Sequence, residues 1–399
     1  MRIESGSFSD DTKTVTLSGN LFVATNYYGT GTVAFVNSTG LNGGGTIQFH
    51  NVQLSGNLLD NGHTFFVDGD WLQAQNAQFQ TNGTAVFNSN TTQQISSANF
   101  NNIVFRNNGE KFFNGNVVTT GNVNLEGTTT VTAQNNSMTV SGNWVKDENA
   151  IFNNGNSTIH FNGTSPQTVS ASNFFNVKFS NGGEKTFTGS LLVYGVMENS
   201  STVHAGKFTH TLDSNFVNNG ILNPDSSTFV FNHSGYSSIT GNSTSFFNLE
   251  IESQDTLQVP FSKKITLLNN LVENGYYIGR IERTENVSAQ QTYHFGNIGA
   301  ELTSNTSSSG IVTLERVSGR FPDGFDQTSV IQRYYKLRSE NVSTNGLLNL
   351  YYNERKERNS LQIEQLKLWT SPDGNSNWAK IDSSVAHVVP YYVQRSEEH

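Results

Sequence analysis

The sequence predicts an all-β fold: a right-handed parallel β-helix (β-solenoid) over residues 1–278, then an antiparallel β-sandwich over residues 279–399. Three observations lead there. Short runs alternate in hydrophobicity with period two, as in Thr158-Ile159-His160-Phe161 and Asn176-Val177-Lys178-Phe179, the period of a half-buried strand. Asn-Gly pairs separate the runs (Asn82-Gly83, Asn108-Gly109, Asn154-Gly155, Asn162-Gly163, Asn219-Gly220), and both residues tolerate the left-handed backbone of tight turns. A long stretch then recurs, with Trp71, Trp144 and Phe216 standing 73 and 72 residues apart.

Taken in chain order, a weak copy, GTVAF at 31–35, places the start of the array near the first residue. The turn-and-strand GDWLQAQNAQF (69–79) returns as GNWVKDENAIF (142–152) and SNFVNNGILN (214–223). TAVFNSNTTQQI, STIHFNGTSPQTV and STFVFNHSGYSSI follow, carrying Phe87, Phe161 and Phe231. NFNNIVFRNNGEKFF (99–113) and NFFNVKFSNGGEKTF (173–187) come next, and SFFNLEI (245–251) is the third copy, with Asn102, Asn176 and Asn248 in register. Six side chains are expected to point inward: Phe87, Phe161, Phe231, Phe105, Phe179 and Ile251. Beyond Ile251 the register lapses, the strands lengthen and Lys and Arg become denser, which marks the sandwich.

A chain of separate small sandwiches is the competing architecture. A 73-residue unit makes a marginal core on its own, and no linker separates the units, which favours stacking into a solenoid. About eleven coils of about 25 residues are expected, three to a repeat, so that equivalent positions stack. On that reading the Glu110-Lys111 and Glu184-Lys185 pairs form a solvated, hairpin-like corner. Asn102, Asn176 and Asn248 each end a strand at one corner.

Composition limits the function. Only 14% of residues are charged while 11% are aromatic, the reverse of a disordered chain. With no Cys, disulfides and thiolate zinc sites are excluded. The net charge of -9, with 10 Lys and Arg against 18 Asp and Glu in residues 1–279, offers no phosphate-binding surface, so no nucleic-acid partner is expected. No apolar run approaches a membrane span, and the opening MRIESGSFSDDTKTV has no signal-peptide core. The expectation is a monomeric excerpt of a longer exported chain, without membrane insertion.

Residues 142–179, GNWVKDENAIFNNGNSTIHFNGTSPQTVSASNFFNVKF, resemble the tandem repeats of very large secreted and surface proteins of Bacteroidota. The shared order is a G-N-W turn, an N-G spacer, an S-T-hydrophobic-x-F strand, an N-G-[TS] turn, a Gln-containing strand and F-x-N-hydrophobic-x-hydrophobic. The likeness is close over roughly residues 65–251 and loose over 1–64. GRIERTENVSAQQTYHFGNIG (279–299) and the segments IVTLERVSGRFP, VIQRYYKL and GLLNLYYNERKERNSLQIEQLKLW resemble the β-rich module that commonly follows such repeats. The resemblance implies an adhesin-like, cell-surface or extracellular role with type IX secretion. No sorting domain is visible before His399.

No catalytic residue, cofactor or metal site is assigned. Asp60, Asp68 and Asp70 are the densest acids of the array, and paired carboxylates serve glycoside hydrolysis or hold calcium. The next repeat places Asn143 where Asp70 stands, which favours turn chemistry and leaves calcium open. His204 and His210 lack a third ligand. Ser371 to Trp378 resembles an Asp-box, in which Asp373 caps a hairpin turn and Trp378 packs beneath. The ERKER run, 354–358, reads as a solvated loop. Paired tyrosines at 27–28, 276–277, 351–352 and 391–392 read as one residue inward, one outward. The candidate glycan-contacting residues are Tyr351, Tyr352 and Trp369, so surface glycans or a host or environmental polysaccharide are the expected partners. Two functions remain: a non-enzymatic spacer and adhesin-like segment, or a carbohydrate-binding or polysaccharide-active β-helix.

Overall fold

A computed structural model describes residues 1–305, 310–340, 346–371, 377–381, 384–388 and 391–396. Strand outweighs helix by 54% to 3%, and the repeats wind into a β-solenoid of about 14 turns. By internal contacts the chain divides into two compact units, Met1–Phe208 with Asn219–Ile221, and Thr209–Asn218 with Leu222–His399.

In the first unit every third strand pairs, in parallel, with the one a coil before it, so each coil contributes one short strand to each of three sheets. The first sheet opens Arg2–Ile3, Leu21–Val23, Thr39–Asn42; the second opens Ser7–Ser9, Asn26–Tyr28, Thr46–Phe49; the third opens Thr14–Leu17, Thr32–Phe35, Asn51–Leu54. Strands of three or four residues suffice because alternate side chains face the axis. In Thr158–Phe161, Ile159 and Phe161 are fully buried while Thr158 and His160 are not. The inward aromatics then stack along the axis, Phe161 on Phe179 at 5.4 Å between ring centroids and Phe179 on Phe187 at 5.2 Å. All six residues expected inside, Phe87, Phe161, Phe231, Phe105, Phe179 and Ile251, are buried.

The coils are shorter than expected. Thr14 lies opposite Thr32 and Lys111 opposite Val131, eighteen and twenty residues on. Within the first unit two coils are longer: Trp71 lies opposite Ile95 and Trp144 opposite Val169, twenty-four and twenty-five residues on. The additional residues form bulged corners after Phe87 and after Phe161. Shorter coils are why about 14 turns replace the eleven expected.

The expectation that equivalent residues stack is overturned. Trp71 opens the twelfth strand and Trp144 the twenty-third. Eleven strands at three per coil make three and two-thirds coils, so the repeat moves each residue to a neighbouring face. Trp71 belongs to the third sheet and Trp144 to the second; Asn102 belongs to the second sheet and Asn176 to the first. Asn102 and Asn176 also begin their strands rather than ending them.

The second unit opens on the same parallel ladders, with Thr228–Phe231 beside Asn248–Ile251 and the latter beside Asn270–Glu273. The twelve-residue strand Tyr276–Val287 changes the pattern. It pairs in parallel at Ile281 with Ile265, and antiparallel from Gly279 to Val287 with Gly310–Ser318. Position 278/279 therefore falls inside one strand. Arg333–Glu340 continues the antiparallel sheet. A second antiparallel sheet orders Thr292–Tyr293, Ala300–Ser304, Gly346–Tyr351, Tyr391–Ser396 and Val385–Val388, and Leu368–Thr370 pairs with Ala379–Ile381 as a hairpin. No helix of the described residues is long and apolar enough to cross a membrane, which says nothing of a β-barrel.

Candidate functional site

Two of the three singled-out acids of the array, Asp60 and Asp70, are spent on corners. Asp60, fully buried, accepts hydrogen bonds from the backbone N–H of Gly62 (3.0 Å), Asn82 (3.1 Å) and Gly83 (3.2 Å), and from the Thr81 hydroxyl. Asp70 accepts from the Gln94 N–H at 2.8 Å. Asn143 accepts from the Thr168 N–H at 2.8 Å, and Asn215 from the Ser238 N–H at 2.9 Å. Three repeats thus solve one problem with one acceptor, charged once and neutral twice. Asp68 lies 2.8 Å from His50 Nδ1 and accepts from Gln48 at 2.9 Å. The strand-opening asparagines act alike: Asn102 caps the Asn122 N–H at 2.9 Å and Asn176 the Val196 N–H at 2.8 Å, each a coil away.

The charged turn is solvated only at its acids, Glu184 being exposed and Glu110 half-buried. Lys111 and Lys185 are fully buried. Each bulged corner after Phe87 or Phe161 would leave main-chain groups unpaired, a cost that buried polar atoms must answer. Gln93 closes the first bulge, accepting from the Ser89 N–H (3.1 Å) and donating to the Val67 (3.0 Å) and Gly69 (2.5 Å) carbonyls. Lys111, opposite Gln93 on the next coil, donates to the carbonyls of Ser89 (3.0 Å), Arg106 (2.7 Å), Asn107 (3.2 Å) and Gly109 (2.6 Å). Gln167 and Lys185 repeat the device, Lys185 donating to Gly163 (3.0 Å) and to Gly183. Asn107 and Asn181 both take a φ of 64°, and a Cβ at Gly109 or Gly183 would meet the carbonyl of Thr91 or Ser165 at 2.1 Å. Burial pushes both ammonium groups down to about 8. In the third copy buried Asp255 inverts the polarity, accepting from the N–H of His233 and Ser237, both at 3.2 Å.

Other candidates are also structural. His204 faces Glu184 at 3.8 Å, and His210 is buried against the Phe229 ring. Among the described residues no group of three or more His, Asp or Glu is placed to hold a metal ion. The ERKER run is not a solvated loop: Glu354–Glu357 is a short helix capped by Asn353. Its Glu357 is wholly buried, 2.8 Å from Arg333, because the guanidinium, the Asn353 N–H and the Tyr276 hydroxyl all converge on that carboxylate. Tyr27 is buried and Tyr28 exposed, as expected, but Tyr276 and Tyr277 are both buried. Asp373 lies outside the described residues.

The second unit also holds a pocket of about 420 Å³. Tyr351, Tyr352 and Trp369 all line it. Tyr352 packs with Leu366 and Val393 in the small core beneath. Tyr351, from the end of Gly346–Tyr351, meets the Tyr392 ring at a tilt, 5.3 Å between centroids, and donates to Glu301 at 3.3 Å; burial and that carboxylate raise its phenol pKa. Trp369 is 43% exposed and meets Phe325 edge to face at 5.3 Å; Trp378 packs on the same Phe325 at 5.1 Å and donates to the Asp323 carbonyl. Thr328, Ser329 and Gln365 supply neutral polar groups on the wall. The two cations on the wall are engaged, Arg333 by Glu357 and Lys367 by the Ser384 carbonyl at 2.7 Å. Sequence reasoning missed Phe325, which has no strand period around it, and gave Trp378 only a packing role. The arrangement suits stacking and neutral hydrogen bonding. Neither a family model, nor a curated protein, nor a solved structure matches the chain.

Proposed function

We propose that the chain is a non-enzymatic, extracellular segment of a bacterial surface or secreted protein, in which a solenoid spacer carries a glycan-binding module. The observation that carries this reading is the contrast between the two kinds of site. In the solenoid, Asp60, Asp70, Lys111 and Lys185 are consumed by main-chain groups at corners. In the module, Tyr351, Tyr352 and Trp369 share one aromatic pocket, where Arg333 is paired with Glu357 and Lys367 is tied to the Ser384 carbonyl. Aromatic faces with neutral donors and acceptors favour an uncharged pyranose over an ionic ligand. A repeat array gains length from neighbour contacts alone, which suits a spacer. The likeness to Bacteroidota surface repeats supports secretion through the type IX route. In this reading the coils are right-handed, and residues 279–399 form a sandwich that covers the open end of the array.

The test is binding of the purified protein to a panel of neutral and acidic oligosaccharides by calorimetry. Neutral sugars are expected to bind with millimolar to micromolar affinity, and Trp369→Ala to weaken them at least tenfold. Absence of binding at millimolar ligand, or binding untouched by Trp369→Ala, rejects the pocket. Turnover of any polysaccharide that disappears with Asp68→Ala or Asp70→Ala instead establishes the polysaccharide-active alternative.

A further inference from the structure

The geometry points to a display device that needs no assumption about the pocket: each 73-residue repeat turns the array by one of its three faces, so copy number sets direction as well as length. Residues of the first unit show the turn. Phe66, on Thr64–Val67, lies opposite Val86, Val86 opposite Val104, Val104 opposite Asn124, and Asn124 opposite Val145. Val145 therefore shares an outward ladder with Phe66, a residue of another place in the repeat. Leu72, its true equivalent, lies opposite Gln53 on the third sheet. The cause is arithmetic: eleven strands per repeat against three per coil. Adding or removing one repeat keeps every junction native yet moves all following strands to the next face.

This has a consequence for partners. Leu72 and Val145 are 40% and 44% exposed. With a whole number of coils per repeat, such residues would recur on one face, three or four strand spacings apart. Turned by a face each time, they stay apart. A flat partner laid along one face meets a given repeat position once in three repeats, whereas a partner free to approach from any side meets all of them.

The chain has no Cys, so paired spin labels report without background. In the intact protein the pair Phe66→Cys/Val145→Cys is expected about 19 Å apart along the ladder, four strand spacings of ~4.8 Å. Leu72→Cys/Val145→Cys should read longer although it is closer in sequence. The reverse order would overturn the inference. Removal of residues 71–143 provides a second measurement. His160, the equivalent of Val86, should then take its place beside Phe66, and Phe66→Cys/His160→Cys should form a disulfide only in the shortened chain. A folded shortened chain, β-rich by circular dichroism, that fails to cross-link also refutes it; if the shortened chain does not fold, the distances in the intact protein decide.

Discussion

Lys111 shows how far a single residue departs from what its sequence neighbours promise. Within N-N-G-E-K it reads as a turn residue facing water, yet its ammonium closes four carbonyls at a bulged corner. Lys111→Ala would strand those acceptors, and a loss of roughly 3 kcal/mol is expected in chemical denaturation, since each buried unsatisfied group costs about 1–3 kcal/mol. The pH dependence follows from the direction of the shift. Lys111 and Lys185 lie at about 8 in the folded chain, while unfolded lysine titrates near ~10.4. Between those values the unfolded state holds more protons, so the contribution of these two groups to stability is lowest below pH 8 and rises through that window. Unfolding at pH 7.5 and pH 10 should show that gain in the native protein and not in Lys111→Met/Lys185→Met; an identical gain in both would exclude the assignment. Trp144, buried among Phe152, Phe161 and Phe174 with its indole N–H on Ser172, is the other extreme. Trp144→Ala should cost roughly 3–5 kcal/mol, as large-to-small changes of buried aromatics do.

At the level of the element, strands of three and four residues persist only because each corner is answered from the coil beside it. Asp70, Asn143 and Asn215 serve equivalent corners through one acceptor oxygen. Asp70→Asn should therefore change stability by less than about 0.5 kcal/mol, while Asp70→Ala should lose about 1 kcal/mol, the net worth of one hydrogen bond. Equal damage from both substitutions would mean that the charge itself matters, reopening a catalytic or cation-binding role. The long strand Tyr276–Val287 is a different element, parallel at one end and antiparallel along the rest. Ending the chain at residue 278 cuts it and bares the edge it covers. Such a truncation should aggregate in sedimentation or light scattering, because unpaired strand edges recruit one another; a soluble monomer would count against a capping role.

For the whole molecule, the third-of-a-turn mismatch between repeat and coil is the property with most reach. It puts equivalent outward residues of successive repeats on different faces and couples the length of the array to the direction of its surface. It also accounts for a recurring sequence whose copies never lie on top of one another. Each copy needs only its own neighbours to be right, so the repeat is conserved in its interior chemistry while its azimuth drifts.

The amino-acid sequence by itself determined the strands, the turns and the inward set, because these depend on period-two alternation and on the backbone freedom of Asn and Gly within a few residues. It also named Tyr351, Tyr352 and Trp369, but that they line one pocket and that Tyr352 is buried beneath it are facts of the packing. What only the tertiary structure decided were quantities set by contacts about twenty residues apart. The number of turns depends on summed corner lengths, and two bulged corners alter that sum. Whether Lys111 meets water or carbonyls depends on the coil below it. Glu357, read as solvated, is buried because Arg333 and Tyr276 arrive from distant strands. Phe325 joins the pocket only through the packing of Trp369 and Trp378 around it. Local pattern fixes the conformation of each strand, whereas burial and face are properties of the stack.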